Sequence, residues 1–159
     1  MCACIFSKID YCNALYYGII SQLISKLQSV QNSVARLLGK RSGSDFREHD
    51  YIRKGNWLRV KERIVFKICL LVHNCLHGNS PSSLKELLVR VSSSRTLMLS
   101  QYPYKSNFGN RSFSRIGPKI WNLLPQSIRL EINTTKFKKL LKTYLFDNYE
   151  HLEQKLHER

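Results

Sequence analysis

Three sets of residues have types and spacings that bear on chemistry. Cys69, His73 and His77 fall at i, i+4 and i+8 on one predicted helix, with Cys75 close by. Thiolate and imidazole groups at this spacing supply some zinc ligands, but a structural site needs four in a tetrahedron, and there is no CxxC pair. Steps of four also drift around a helix, so core and surface placement explains this set more simply. Cys12 with a histidine as base has no supporting spacing, and a buried helical cysteine is the commoner case. Asp10, Asp45, Asp50 and Asp147 are the only aspartates, and no two are arranged as a two-metal phosphoryl-transfer site requires. A glycine-rich phosphate loop is missing as well. No catalytic residue, metal or cofactor is therefore assigned.

The basic and aromatic residues carry more. Between 102 and 121 the chain interleaves Tyr102, Tyr104, Lys105, Phe108, Arg111, Phe113, Arg115, Lys119 and Trp121. Cations neutralise phosphates, and aromatic rings stack on unpaired bases. The chain holds 26 Lys+Arg against 11 Asp+Glu, a net charge of +15. The excess is local. Residues 1–50 hold 6 basic and 4 acidic side chains, residues 51–142 hold 18 and 3, and residues 143–159 hold 2 and 4. Such a balance favours a polyanionic partner, above all RNA or DNA. The candidate contacts are Arg63, Lys67, Lys105, Arg111, Arg115, Lys119, Arg129, Lys138, Lys139 and Lys142. Trp121, flanked by Pro118 and Pro125, reads differently, as a buried anchor that pins the connection. Pro118 is expected to start a short helix and Pro125 to end it.

These residues need helices to position them. Ser7 with Asp10 resembles a capping box, predicting a helix over about 8–18 that ends at Gly18. In residues 21–39, Leu23, Leu27, Val30, Val34 and Leu37 repeat at 4, 3, 4, 3, which predicts a helix burying that stripe. The strongest helical pattern runs from Trp57 to Gly78. It places Val60, Ile64, Ile68, Leu71, Val72, Cys75 and Leu76 on one face, and Arg59, Lys61, Glu62, Arg63 and Lys67 on the other. Ser80 and Pro81 suggest an N-cap and first position for a further helix. Residues 92–112 lack a helical period and read as a long irregular basic-aromatic connection with at most a short strand pair. Thr134 or Thr135 would cap a last helix that buries Phe137, Leu140, Leu141, Tyr144 and Leu145. The expected fold is mostly α, a small bundle of about five or six helices in a single domain over 1–159, with 150–159 as a tail.

At 43% hydrophobic, the chain has enough apolar residues for a core. No run reaches the roughly 20 apolar residues of a membrane span, and the start lacks the pattern of a signal peptide. Five scattered cysteines read as reduced thiols. A cytoplasmic or nuclear location follows as the expectation, with no membrane or small-molecule partner.

Five blocks in order, SKIDYCNALYYG (7–18), KLQSVQNSVARLL (26–38), RIVFKICLLVHNCLHGNSPSSLKELL (63–88), FGNRSFSRIGPKIWNLLPQSIR (108–129) and FKKLLKTYLF (137–146), resemble one family. It is the region after the polymerase domain in LINE-type non-LTR retrotransposon reverse transcriptases of the jockey-like and chicken-repeat-like group. The resemblance spans about 7–149. At GNWLRV (55–60) the chain has Asn56 and Arg59 where relatives carry a His-Trp-Leu-Pro-type step. The likeness implies a fragment of a larger RNA-directed DNA polymerase, separated from the paired-aspartate catalytic motif, that binds RNA or DNA and adjoins the parent's polymerase domain. The alternatives it leaves are an element that only packs on that domain, and a transposon remnant with no activity.

Overall fold

The computed structural model describes residues 2–39, 52, 55–90, 97–98 and 107–157. Lys105, Tyr102, Tyr104 and most of the expected irregular connection lie outside the described residues. The protein is mostly helical. Among the described residues, five helices of nine residues or more are α1 (Cys2–Asp10), α2 (Ser21–Gly39), α3 (Val60–Leu76), α6 (Phe113–Leu123) and α8 (Thr134–His157). Single turns form α4 (Ser82–Lys85), α5 (Asn107–Asn110) and α7 (Gln126–Arg129). Strands β1 (Val89–Arg90) and β2 (Leu97–Met98) pair antiparallel, with Val89 opposite Met98. The chain divides into two compact units between Ile64 and Val65.

In the first unit, α1 begins and ends earlier than the capping-box pattern predicts. Ser7 does not cap; its hydroxyl donates back to the Cys4 carbonyl at 2.9 Å. Cys12 adopts a left-handed φ of 51°, which stops the helix before a 3-10 turn over Asn13–Tyr16. Asp10 is drawn into tertiary contacts instead. It accepts two bonds from the Arg63 guanidinium, one at 2.7 Å, and a longer one from the Asn13 amide at 3.4 Å. Arg63 also lies over the Phe6 ring, 4.8 Å from its centre. Phe6 in turn meets Trp57 edge-on at 4.7 Å. Asn56 takes a left-handed φ of 53°, a conformation that asparagine tolerates better than most residues.

The face that α2 buries takes in only part of the expected stripe, buried Val34 and half-buried Leu27. Leu23, Val30 and Leu37 are exposed, while Ile24, Gln31, Val34 and Ala35 are buried. The cause is polar. The Gln31 amide donates to the Leu58 carbonyl at 2.8 Å. The Gln28 carbonyl accepts from the Val60 N–H at 3.0 Å, and its amide donates to Gln31 and Asn32. Glu62 folds back to accept from the Arg59 N–H at 2.8 Å. Together these side chains satisfy backbone groups that the start of α3 leaves without helical partners.

In the second unit, α3 buries Val65, Ile68, Cys69, Val72, His73 and Cys75, largely the expected face. Leu71 and Leu76 are only half-buried. Gly78, at φ 79°, follows the helix as a left-handed terminator. The helix expected after Ser80 shrinks to α4. Pro81 occupies the cap position, and the buried Ser80 hydroxyl caps nothing. Leu87 and Val89 remain exposed, so a longer helix would gain no burial there.

Helix α6 starts at Phe113, ahead of the expected start at Pro118, which lies inside it. Proline forfeits one ladder bond there, and burial of Ile116, Gly117, Pro118, Ile120 and Trp121 outweighs that loss. A Cβ at Gly117 would stand 3.1 Å from Val72 Cγ2, so glycine permits close approach of α6 to α3. The helix stops at an extended Leu124, as a residue before proline prefers, and Pro125 caps α7. Asn133, not a threonine, caps α8. Its side-chain oxygen accepts from the Thr135 and Lys136 N–H groups at 2.9 and 3.1 Å. Phe137, Leu141 and Leu145 face inward, but Leu140 is exposed. Residues 150–157, read as tail, form the last turns of α8, and Leu152 and Leu156 are buried.

Replacing Gln31 by Leu keeps bulk but leaves the Leu58 carbonyl buried without its donor. Urea denaturation of Gln31→Leu should show a loss of about 1–3 kcal/mol, whereas Val30→Ala should stay within roughly 0.5 kcal/mol. Equal effects would mean that the glutamine does not set the face of α2.

Candidate nucleic-acid interface

Within the second unit, the described basic candidates do not all lie on one surface. In the first unit Arg63 is held by Asp10 and Phe6 and is half-buried, so its charge is already matched. In the second unit Lys119 donates to the Leu156 carbonyl at 2.6 Å. This places an ammonium against the C-terminal end of α8, where the last carbonyls lack helical partners and the helix dipole favours a cation. Arg129, at the end of α7, is half-buried, and its Nε has no partner among the described residues. Arg111 and Arg115 flank the start of α6, both half-buried. Lys67 is half-buried on α3.

Three candidates do share a surface. Lys138, Lys139 and Lys142 lie in the first three turns of α8, at spacings that put them within about a third of the helix circumference. Lys138 and Lys139 are exposed and make no ion pair among the described residues. Lys142 is half-buried, with its ammonium 5.9 Å from the Phe146 ring centre. Lys136 is exposed in the first turn. That turn contains no acidic residue, so Lys136 stands at the positive end of the helix dipole, where a carboxylate would be more stable. The position of Leu156 sets Lys119 about 27 Å along the axis from Lys138. Within the second unit, Lys119 and the α8 lysines therefore do not share one surface.

Beneath that surface is an aromatic cluster. Trp121 is 1% exposed, and its ring centre lies 5.9 Å from that of Phe137 and 6.5 Å from that of His73. Its indole N–H has no partner among the described residues. His73 stacks on Phe137 at 4.1 Å, and its Nε2 lies 3.0 Å from the Glu131 carbonyl. This geometry fits the tautomer that donates from Nε2. Burial lowers the His73 pKa, opposed by that carbonyl bond. Burial also pushes the Cys69 thiol far up, so it stays protonated. Among the described residues no three His, Cys, Asp or Glu side chains gather as a metal site would require.

No family model, curated protein or solved structure matches the chain. The reading of the surface therefore rests on its own geometry and on the sequence resemblance.

Sequence reasoning missed the cap made by Lys119, because contact between residues 37 positions apart leaves no local pattern. It also missed the Arg63–Asp10 pair, whose partners are 53 apart.

Two outcomes follow. Lys119→Ala should lower stability by about 1 kcal/mol in urea and fray the last turn of α8 in amide exchange; an unchanged melting curve and exchange pattern would remove the cap. The second concerns pH. A folded His73 pKa below the ordinary 6.5 means that the unfolded chain takes up the proton first, so stability falls as pH drops below about 6.5. Urea midpoints from pH 8 to 5 should fall more steeply for the wild type than for His73→Gln. Parallel curves would show that His73 does not titrate as described.

Proposed function

We propose that the chain is a nucleic-acid-binding module corresponding to the C-terminal, thumb-adjacent region of a LINE-type reverse transcriptase, without that protein's catalytic domain. Binding to RNA or DNA is the activity assigned, and catalysis is not. The observation that carries the reading is the lysine surface of α8. Lys138, Lys139 and Lys142 crowd one side of the first three turns, and Lys138 and Lys139 make no ion pair among the described residues, so no internal ion pair accounts for those two charges. An approaching phosphate would meet several ammonium groups at once. The ordered blocks from 7 to 146 support a setting in which template or target strands are at hand. Among the described residues no helix is long and apolar enough to cross a membrane. The cytoplasm or nucleus is the location proposed.

This reading narrows the contact set to Lys138, Lys139 and Lys142, with Lys67 and Arg115 as secondary contacts. Arg63 and Lys119 leave it, because Asp10 and the α8 terminus engage them. Filter binding or fluorescence anisotropy with single-stranded RNA and duplex DNA, across about 50–300 mM salt, tests the proposal. The logarithm of affinity should fall linearly with the logarithm of salt concentration. Replacing Lys138, Lys139 and Lys142 together by Gln should reduce the slope by roughly two to three units while leaving the melting temperature unchanged. Undetectable binding at low salt, or an unaltered slope in the triple variant, would defeat it.

A further inference from the structure

Stacking on a base needs a ring that the base can reach, and the aromatic cluster of the second unit offers none. Trp121 and Phe137 are buried and so closed to any strand. One ring of α8 stands differently. The helix buries Phe137, Leu141, Leu145, Leu152 and Leu156. Phe146 lies about 100° around the helix from Leu145 and is only half-buried. It falls at i+8 from Lys138 and i+4 from Lys142, and each step of four advances about 40° around the helix. Lys138, Lys142 and Phe146 therefore form one shallow stripe about 12 Å long, with exposed Lys139 beside it. The Lys142 ammonium lies over the Phe146 ring, 5.9 Å from its centre, near the outer limit of a cation–π contact. Beyond Phe146 the helix turns acidic, with Asp147, Glu150 and Glu153, so for a polyanion the stripe ends there.

We infer that the Lys138–Lys142–Phe146 stripe of α8 binds single-stranded nucleic acid, with the lysines on phosphates and an unpaired base stacked on the Phe146 ring. This rests on the nucleic-acid reading of the lysine surface and adds the class of strand. In a duplex the faces of interior bases are covered by their neighbours, so a ring on a protein surface finds none to stack on. Unpaired bases expose their faces, and stacking combined with backbone cations holds single strands with little regard to sequence. A base entering over Phe146 takes the place of the Lys142 ammonium, which then stands beside the phosphate of that nucleotide. Ring and cation thus act on neighbouring parts of one nucleotide, and the exposed Lys138 and Lys139 meet the phosphates next along the strand.

The test is fluorescence anisotropy with the full chain, freed of nucleic acid by nuclease and high salt, at about 100 mM salt. The labelled probes are an unpaired RNA and an unpaired DNA of about 12 nucleotides, the same DNA as a duplex, and heparin as a polyanion without bases. Phe146→Leu should weaken binding to the single strands about fivefold and leave duplex and heparin binding within about twofold. Phe146→Tyr keeps a ring and should retain single-strand affinity. Phe146→Met serves where leucine lowers the melting temperature. A loss with only one of the two single strands still supports the contact and names the strand. Single-strand affinity unchanged in both ringless variants would overturn the inference, and so would an equal loss on duplex and heparin. Absence of binding to every probe would defeat the nucleic-acid reading itself, whereas binding that ignores Phe146 defeats the stacking contact alone.

Discussion

The start of α3 imposes the constraint on which the first unit depends. A helix that begins inside a folded unit has amide groups with no helical acceptor, and the approaching strand has carbonyls in the same position. Water cannot reach the buried Leu58 and Val60, so side chains must serve. Gln28 and Gln31 from α2 do so, and Glu62 closes the remaining gap from within α3. Their reach fixes the rotation of α2. With both glutamines turned inward, Leu23, Val30 and Leu37 are carried to the outside. A polar requirement worth a few kcal/mol thus overrides an apolar stripe that would bury well on its own.

A comparable logic organises the second unit around His73. A histidine inside an apolar cluster is tolerable when it is neutral and one nitrogen donates. The Glu131 carbonyl provides the acceptor, and it lies in the short segment between α7 and α8. The same ring stacks on Phe137 near the start of α8, with Trp121 of α6 beside it. One side chain of α3 therefore ties down the entry to α8 by a hydrogen bond and by ring contact. That entry is where the lysines project. The charged surface stands on a rigid base, which keeps the lysines at a constant spacing on the helix.

Some of this was legible in the residues and some was not. The class of fold and the inward face of α3 followed from apolar periodicity, because there burial and spacing agree. The failures have one character. The stripe of α2 misled because Gln28 and Gln31 count as polar in any pattern yet are drawn inside by distant backbone groups. Pro118 looked like a helix start, since local rules cannot weigh one lost bond against a buried Trp121 on the same helix. The internal contacts of Lys119 and Arg63 were not legible, because an unpaired cation in sequence is indistinguishable from one engaged across the fold. The clustering of the α8 lysines was legible, since they crowd one short segment and no acid accompanies them.

The distribution of unmatched chemistry is then informative. Where cations have internal work, as at Asp10 or at the end of α8, the fold accounts for them. Among the described residues, two surfaces of different kind remain: exposed apolar side chains on α2 and exposed ammonium groups on α8. They differ in the partner that would satisfy them, since one needs dry surface and the other needs anions. They also lie in segments of different net charge, +2 over 1–50 against 18 basic and 3 acidic residues over 51–142. A single partner suited to both would have to be apolar and polyanionic at once. Two separate partners, one for each kind of surface, satisfy the same surfaces with ordinary chemistry.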